Sequence, residues 1–150
     1  MPTINSDTTV GIVSITLSST DLENLLTTPI TALPAPGSGL MYNILSVDWI
    51  YTFGTTGYTH DSVNLMVTQA ASPFNQNDGG VWSTSEVIAS GDGVGASFRA
   101  TQSNTHIGVN AVLSDFVNTA VYIGQEELTT ALSGGNGTLT VILTYVVVKA

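Results

Sequence analysis

Apolar and polar residues alternate with a period of two along most of this chain, and glycine, proline and asparagine break the alternation at short intervals. A period of two places successive side chains on opposite faces of an extended strand. Val10 to Leu17 opens the pattern, with Val13, Ile15 and Leu17 on one face and Ser14 and Thr16 on the other. A long strand is predicted from Leu40 to Phe53. Its odd positions run through Met41, Asn43, Leu45, Val47, Trp49, Tyr51 and Phe53, and its even positions include Tyr42 and Ile44. Both faces are apolar, so the strand is expected to be central and partly covered on both sides. Further strands are read at Ser62 to Gln69, Ser97 to Ala100, Ile107 to Leu113 and Ala120 to Ile123. The last, Thr138 to Val148, is rich in β-branched residues and sets Leu139, Val141, Leu143, Tyr145 and Val147 on one face.

The interruptions have their own chemistry. Thr20 and Glu23 have capping-box spacing before Leu25 and Leu26, which predicts one helical turn ended by Pro29, with Ile30 to Leu33 extended. The run from Pro34 to Gly39 combines fixed and positive φ and reads as a turn. Gly54 to Gly57, residues 72–80, Gly91 to Gly95 and Gly134 to Gly137 are loops or tight turns. Val81 to Ala89 is open between a strand and a short helix begun by Ser83 and Glu86, and Gln125 to Leu132 between a turn and one helical turn. Seven or eight strands with such punctuation predict an all-β, single-domain antiparallel β-sandwich or barrel of jelly-roll-like form, with one or two short helical turns. Residues 1–9 are polar and are read as a flexible arm, and residues 10–150 as one β domain.

Composition narrows the function classes. The chain has 150 residues, enough for one domain that buries roughly 70% of its unfolded surface. Charged residues are 9% of it, against about 25% in typical soluble domains. Its polar surface must therefore come from Thr, Ser, Asn and Gly, as in β-rich extracellular or virion proteins. The net charge is −9 with two basic residues, Arg99 and Lys149, which excludes phosphate neutralisation on nucleic acid and disfavours anionic membranes. There is no cysteine, so disulfides, thiolate metal sites and cysteine nucleophiles are excluded. The segment MPTINSDTTV lacks the basic and apolar regions of a secretory leader, and Leu139 to Val148 is too short and too interrupted to span a bilayer.

No residue pattern points to catalysis. His60-Asp61 and His106 are the histidine positions, but no G-x-S-x-G elbow or H-x-x-x-H pair accompanies them. Asp78 and Asp92 offer loop oxygens of the kind calcium takes, yet Asp beside Gly is first of all turn chemistry. The glycine clusters lack the strand–glycine–helix context of a nucleotide loop. Trp49 is in phase with Val47 and Tyr51 and is read as core. Trp82, beside Gly79 and Gly80, is the better candidate for an exposed contact of the sort that stacks on sugars. Asn136-Gly137-Thr138 fits a glycan acceptor but reads first as a hairpin turn. The expectation is a protein that is not an enzyme and carries no cofactor or metal.

Three segments together carry a resemblance. They are Leu26-Thr-Thr-Pro29-Ile30 with Leu33-Pro-Ala-Pro-Gly37-Ser-Gly39 and the long strand through Trp49 and Tyr51 to Gly54 and Tyr58; Asn118-Thr-Ala-Val-Tyr122-Ile123; and Leu132 through Gly134-Gly-Asn-Gly137 to Tyr145-Val-Val-Val148. In this order they resemble the small β-rich virion proteins of tailed bacteriophages, including capsid decoration (cement) proteins. Residues 72–116 match nothing in that pattern. The resemblance implies a jelly-roll-like protomer, a homotrimer, seated on the outer capsid surface, with major capsid protein as its partner and shell stabilisation as its role. Neither nucleic acid nor membrane is an expected partner. Ile4, Asn5 and Val10 in the arm and Phe74 and Trp82 in loops are the candidate partner contacts. The alternatives are a carbohydrate-binding β-sandwich and a head-completion or tail structural protein.

Overall fold

The computed structural model describes residues 9–59, 63–69, 82–84, 88, 98–103, 116–126 and 129–150. Strand β1 is Val10–Leu17, and a single helix turn and a half, α1, is Ser19–Asn24. There follow β2 (Ile30–Leu33), β3 (Leu40–Thr52), β4 (Leu65–Thr68), β5 (Trp82–Thr84), β6 (Phe98–Ser103), β7 (Val121–Gln125) and β8 (Thr138–Lys149). These described strands form two four-stranded antiparallel sheets, in the orders β1-β8-β3-β6 and β2-β7-β4-β5. The pairings are nested: first with last, second with seventh, third with sixth, fourth with fifth. The chain thus behaves as one long antiparallel ribbon folded over so that alternate lengths fall in opposite sheets. The expected all-β sandwich is the fold observed.

The core lies between the sheets. Leu17, Val47, Trp49, Tyr51, Leu139, Val141 and Leu143 come from the first sheet, and Leu33, Leu65, Val67, Val121 and Ile123 from the second. Leu22 of α1, Leu25 at its C-cap and Leu132, before β8, join the same core. Trp49 is fully buried, as its phase with Val47 predicts.

β3 departs from the alternation read in the sequence. Ile44 pairs with Tyr145 but Ser46 pairs with Thr144, so Leu45 is an extra residue with no partner of its own in β8. Such a bulge reverses which parity faces inward. Tyr42 and Ile44 are buried before it and Val47, Trp49 and Tyr51 after it, while Asn43 and Leu45 are exposed. The strand is central, as expected. Its two apolar faces arise because one inward face switches parity, and not because both sides are covered throughout.

The helical turn forms where expected but is capped two residues earlier. Ser18 is the N-cap: its hydroxyl accepts from the Asp21 amide at 3.2 Å, and the Asp21 carboxylate accepts from the Ser18 amide at 2.8 Å. This box displaces the Thr20 and Glu23 pairing, because α1 must start directly after Leu17 is buried. The side-chain and backbone hydrogen bonds from Ser18 hold the Asp21 carboxyl below the usual carboxylate range. β4 covers Leu65–Thr68 of the strand predicted at Ser62 to Gln69; Gln69 follows it, and its side-chain Nε2 donates to the Tyr42 carbonyl at 3.2 Å, while Ser62 lies outside the described residues. Residues 82–84 take the strand alternative and pair with β4. Of the segment left open at Gln125 to Leu132, Gln125 ends β7 and the Thr129 amide donates to the Glu126 carbonyl at 3.2 Å; residues 127–128 lie outside the described residues. The strand expected at 107–113 lies outside the described residues, as do residues 1–8 of the predicted arm.

The bulge generates a prediction. Leu45→Ala removes an exposed side chain and should cost under about 0.5 kcal/mol. Deleting Leu45 forces Tyr42 and Ile44 to the outer face, or breaks the ladder, and should cost roughly 3 kcal/mol or more, because each large side chain is worth about 1.5–3 kcal/mol when buried. Denaturant unfolding of the two variants beside wild type checks the difference.

Candidate functional site

The registers define the outer face of the first sheet. Odd residues of β1 point to the core, so Val10, Ile12, Ser14 and Thr16 point outward. They lie opposite Val146, Thr144, Ile142 and Thr140 of β8. β8 in turn sets these four opposite Asn43, Ser46, Asp48 and Ile50 of β3. β6 continues two rows, with Thr101 opposite Asp48 and Arg99 opposite Ile50.

The result is a face of valine, isoleucine, threonine and serine. Thr16 and Thr140 share a hydrogen bond between hydroxyls at 3.0 Å, and the Thr101 hydroxyl donates to the Asp48 carboxylate. Among the side chains described, Asp48 is the ionisable group of this face. At the corner where β1 begins, the face is openly apolar: Val10 is 54% exposed, Ile12 69% and Leu45 37%. Val147, opposite Tyr42 at the same end of the sandwich, is 40% exposed.

Two loop clamps hold the ends of this sheet. Near the exposed corner, Asn118 adopts a positive φ of 53° and its Oδ1 accepts from the Gly37 amide at 3.0 Å. Its own amide donates to the Leu40 carbonyl at 2.7 Å, which fixes the turn leading into β3. Tyr42 donates to the Pro34 carbonyl at 2.8 Å and meets the Tyr145 ring edge-on at 5.3 Å between centroids. At the opposite end, Asn136 Oδ1 accepts from the Thr55 and Thr56 amides at 2.7 and 2.8 Å, and its Nδ2 donates to the Thr55 hydroxyl at 2.7 Å. A Cβ on Gly54 would overlap the Asn136 side chain, and one on Gly135 would overlap the Tyr58 ring, so glycine is required at both positions. Tyr58 donates to the Gly137 carbonyl at 2.8 Å, and Glu23 of α1 accepts from the Gly134 amide at 2.8 Å.

These observations place the residues singled out in the sequence. Val10 stands on the outer face of the first sheet, at its edge. Trp82 begins β5 and pairs with Val67 at the edge of the other sheet, so the two are not brought together. Ile4, Asn5 and Phe74 lie outside the described residues, and so do His60, Asp61, His106, Asp78 and Asp92. Asn136 is consumed by the loop clamp, but its loop leads from β7 in one sheet to β8 in the other and is not the hairpin turn expected. Tyr42, Tyr51 and Tyr58 are buried with Trp49, which withdraws them from any sugar-stacking platform. Ile12, Leu45 and Val147 were missed. Ile12 was legible, being in step with Val10 and out of step with Val13. Leu45 was not, because only the bulge turns it out.

No protein-family model matches the chain, and no curated protein matches it. Among solved structures, it is similar to one chain of the cyanophage Pam1 capsid asymmetric unit, with a TM-score of 0.48 and 17% identity, over 97% of this chain and 90% of that one. A likeness of that grade leaves family and role to be argued from the chain itself.

The clamp at Tyr58 titrates. Burial first, then the neighbouring Tyr51 and Glu23, push its hydroxyl from 10.0 up to about 12. Burial also raises Tyr51, and burial with Tyr145 raises Tyr42. Below the ordinary value, folded and unfolded chains both keep the proton and the contribution is fully present. As pH rises from about 10 to about 12 the unfolded chain loses the proton first, so stability falls. Denaturant midpoints measured across this window should drop steeply for wild type and less steeply for Tyr58→Phe, with the remainder due to Tyr42 and Tyr51.

Proposed function

We propose that the chain is a structural virion protein that decorates the outer face of a phage capsid, binding major capsid protein subunits as a homotrimer and stabilising the shell. The observation that carries this reading is the outer face of the β1-β8-β3-β6 sheet. A soluble domain has no need to expose Val10, Ile12 and Leu45 together on a face nearly free of charge, and such a patch marks a contact surface. The face is held by ladders of eight and twelve residue pairs, so little conformational freedom is lost when it docks.

Two further features support the reading. The nested strand pairing supports a jelly-roll-like reading of the sandwich, an architecture used by viral capsid and lectin domains. The net charge of −9 makes a DNA-facing position unfavourable, which argues for the outside of the shell. Binding alone suffices for the role: several copies gripping several capsid subunits multiply weak contacts into a strong one.

Co-sedimentation with empty shells of the cognate major capsid protein tests the proposal. Wild type should pellet with shells and raise their thermal midpoint, and Leu45→Glu should weaken binding at least about tenfold, the effect of some 1.4 kcal/mol. Absence of shell binding by folded wild type overturns the reading, and binding to a glycan array in its place would favour the lectin-type use of the same architecture.

A further inference from the structure

β1 is an edge strand. It hydrogen-bonds to β8 along one side, and among the described residues no strand pairs with its other side. An edge of this kind presents a row of free amide and carbonyl groups, and proteins that remain monomeric guard it with lysine, proline, a bulge or a very short strand. β1 has none of these. It is VGIVSITL, eight residues without charge or proline, and its register with β8 runs unbroken from Val10 to Leu17. Its inward residues Val13 and Ile15 pack on the core yet stay partly exposed, as they must where no further strand covers them.

We propose that this edge pairs with β1 of a second copy of the chain, antiparallel about a twofold axis, to give one sheet continuous through both molecules. Charge selects that partner. Each copy carries a net −9, so two copies repel over most approaches. β1 brings no ionisable group, and pairing it with itself sets no like charges opposite one another. A twofold contact needs only that one patch be complementary to itself.

Side-chain parity restricts the register. Inward residues must meet inward residues, or each copy would turn its core face to solvent. A pairing centred on Val13 satisfies this: Gly11 lies opposite Ile15 on the core side, and Ile12 opposite Ser14 and Val10 opposite Thr16 on the outer side. The exposed Val10 and Ile12 of both copies then join into one apolar surface, and Val13 and Ile15 are covered.

The pairing does not rest on the capsid reading. It doubles whatever other contacts build, turning a monomer into a dimer or a trimer into a pair of trimers. Light scattering over a concentration series, on the full chain of 15.6 kDa, should give an even multiple of that mass. Ile12→Lys should halve it, with circular dichroism and the thermal midpoint unchanged, and Thr52→Lys, exposed at the far end of β3, should leave it intact. The chain has no cysteine, so Val13→Cys, at the position this register sets opposite its own copy, offers an independent measurement: oxidation should trap a covalent dimer. An odd multiple at every concentration, a mass indifferent to Ile12→Lys, or no crosslink overturns the proposal. Shell binding can succeed or fail under any of these outcomes, so the two readings are separable.

Discussion

β8 lies between β1 and β3, pairing with β3 along its whole length and with β1 from Leu139 to Val146, and β1 joins the first sheet only through it. Its inward residues Leu139, Val141 and Leu143 are fully buried, against Leu17, Ile15 and Val13 on one side and Tyr51, Trp49 and Val47 on the other. The partners come from opposite ends of the chain, so the entropy of closing the largest loop is spent before the sheet returns any burial. The second sheet repeats this on a smaller scale, with β7 between β2 and β4. A nested ribbon therefore folds as a whole, and the face it presents is as rigid as its longest ladder.

Rigidity and solubility pull in different directions here, and the molecule separates them in space. Of the described carboxylates, Asp21 and Glu23 sit on α1 and Glu126 follows β7, while Asp48 alone stands on the outer face, opposite Ile142 of β8, where it accepts from the Thr101 hydroxyl. The outer side is kept hydrated by threonine and serine hydroxyls, which cost little to strip of water when a partner supplies a hydrogen bond in return. A surface of this kind resists non-specific association weakly and specific association hardly at all.

Much of this was legible in the residues. The alternation in Val10 to Leu17 and in Thr138 to Val148 gave both strands and their inward faces, because neither contains a bulge. The turn at Pro34 to Gly39 and the end of α1 before Pro29 were legible because proline and glycine act locally. The parity of β3 was not, since a bulge at Leu45 depends on how β8 pairs with it, and no local preference of leucine announces it. The cap shifted from Thr20 to Ser18 for a related reason: the two boxes differ by two residues, and only the burial of Leu17 decides between them. For the candidate contacts, Val10 was named as the end of the arm, and its phase with Ser14 and Thr16 sets it on the outer face; no local signal told which sheet Trp82 would join.

Asn136 has a further consequence. It precedes a glycine, the setting in which an asparagine side chain cyclises most readily onto the following backbone nitrogen and then opens to aspartate or isoaspartate. In the folded chain its amide is held by hydrogen bonds to Thr55 and Thr56, so the side chain must break these bonds before it can rotate into that attack. Chemical ageing at this position is thereby tied to how often the loop lets go. The isoaspartate content of stored protein becomes a slow clock for the opening of this end of the sandwich.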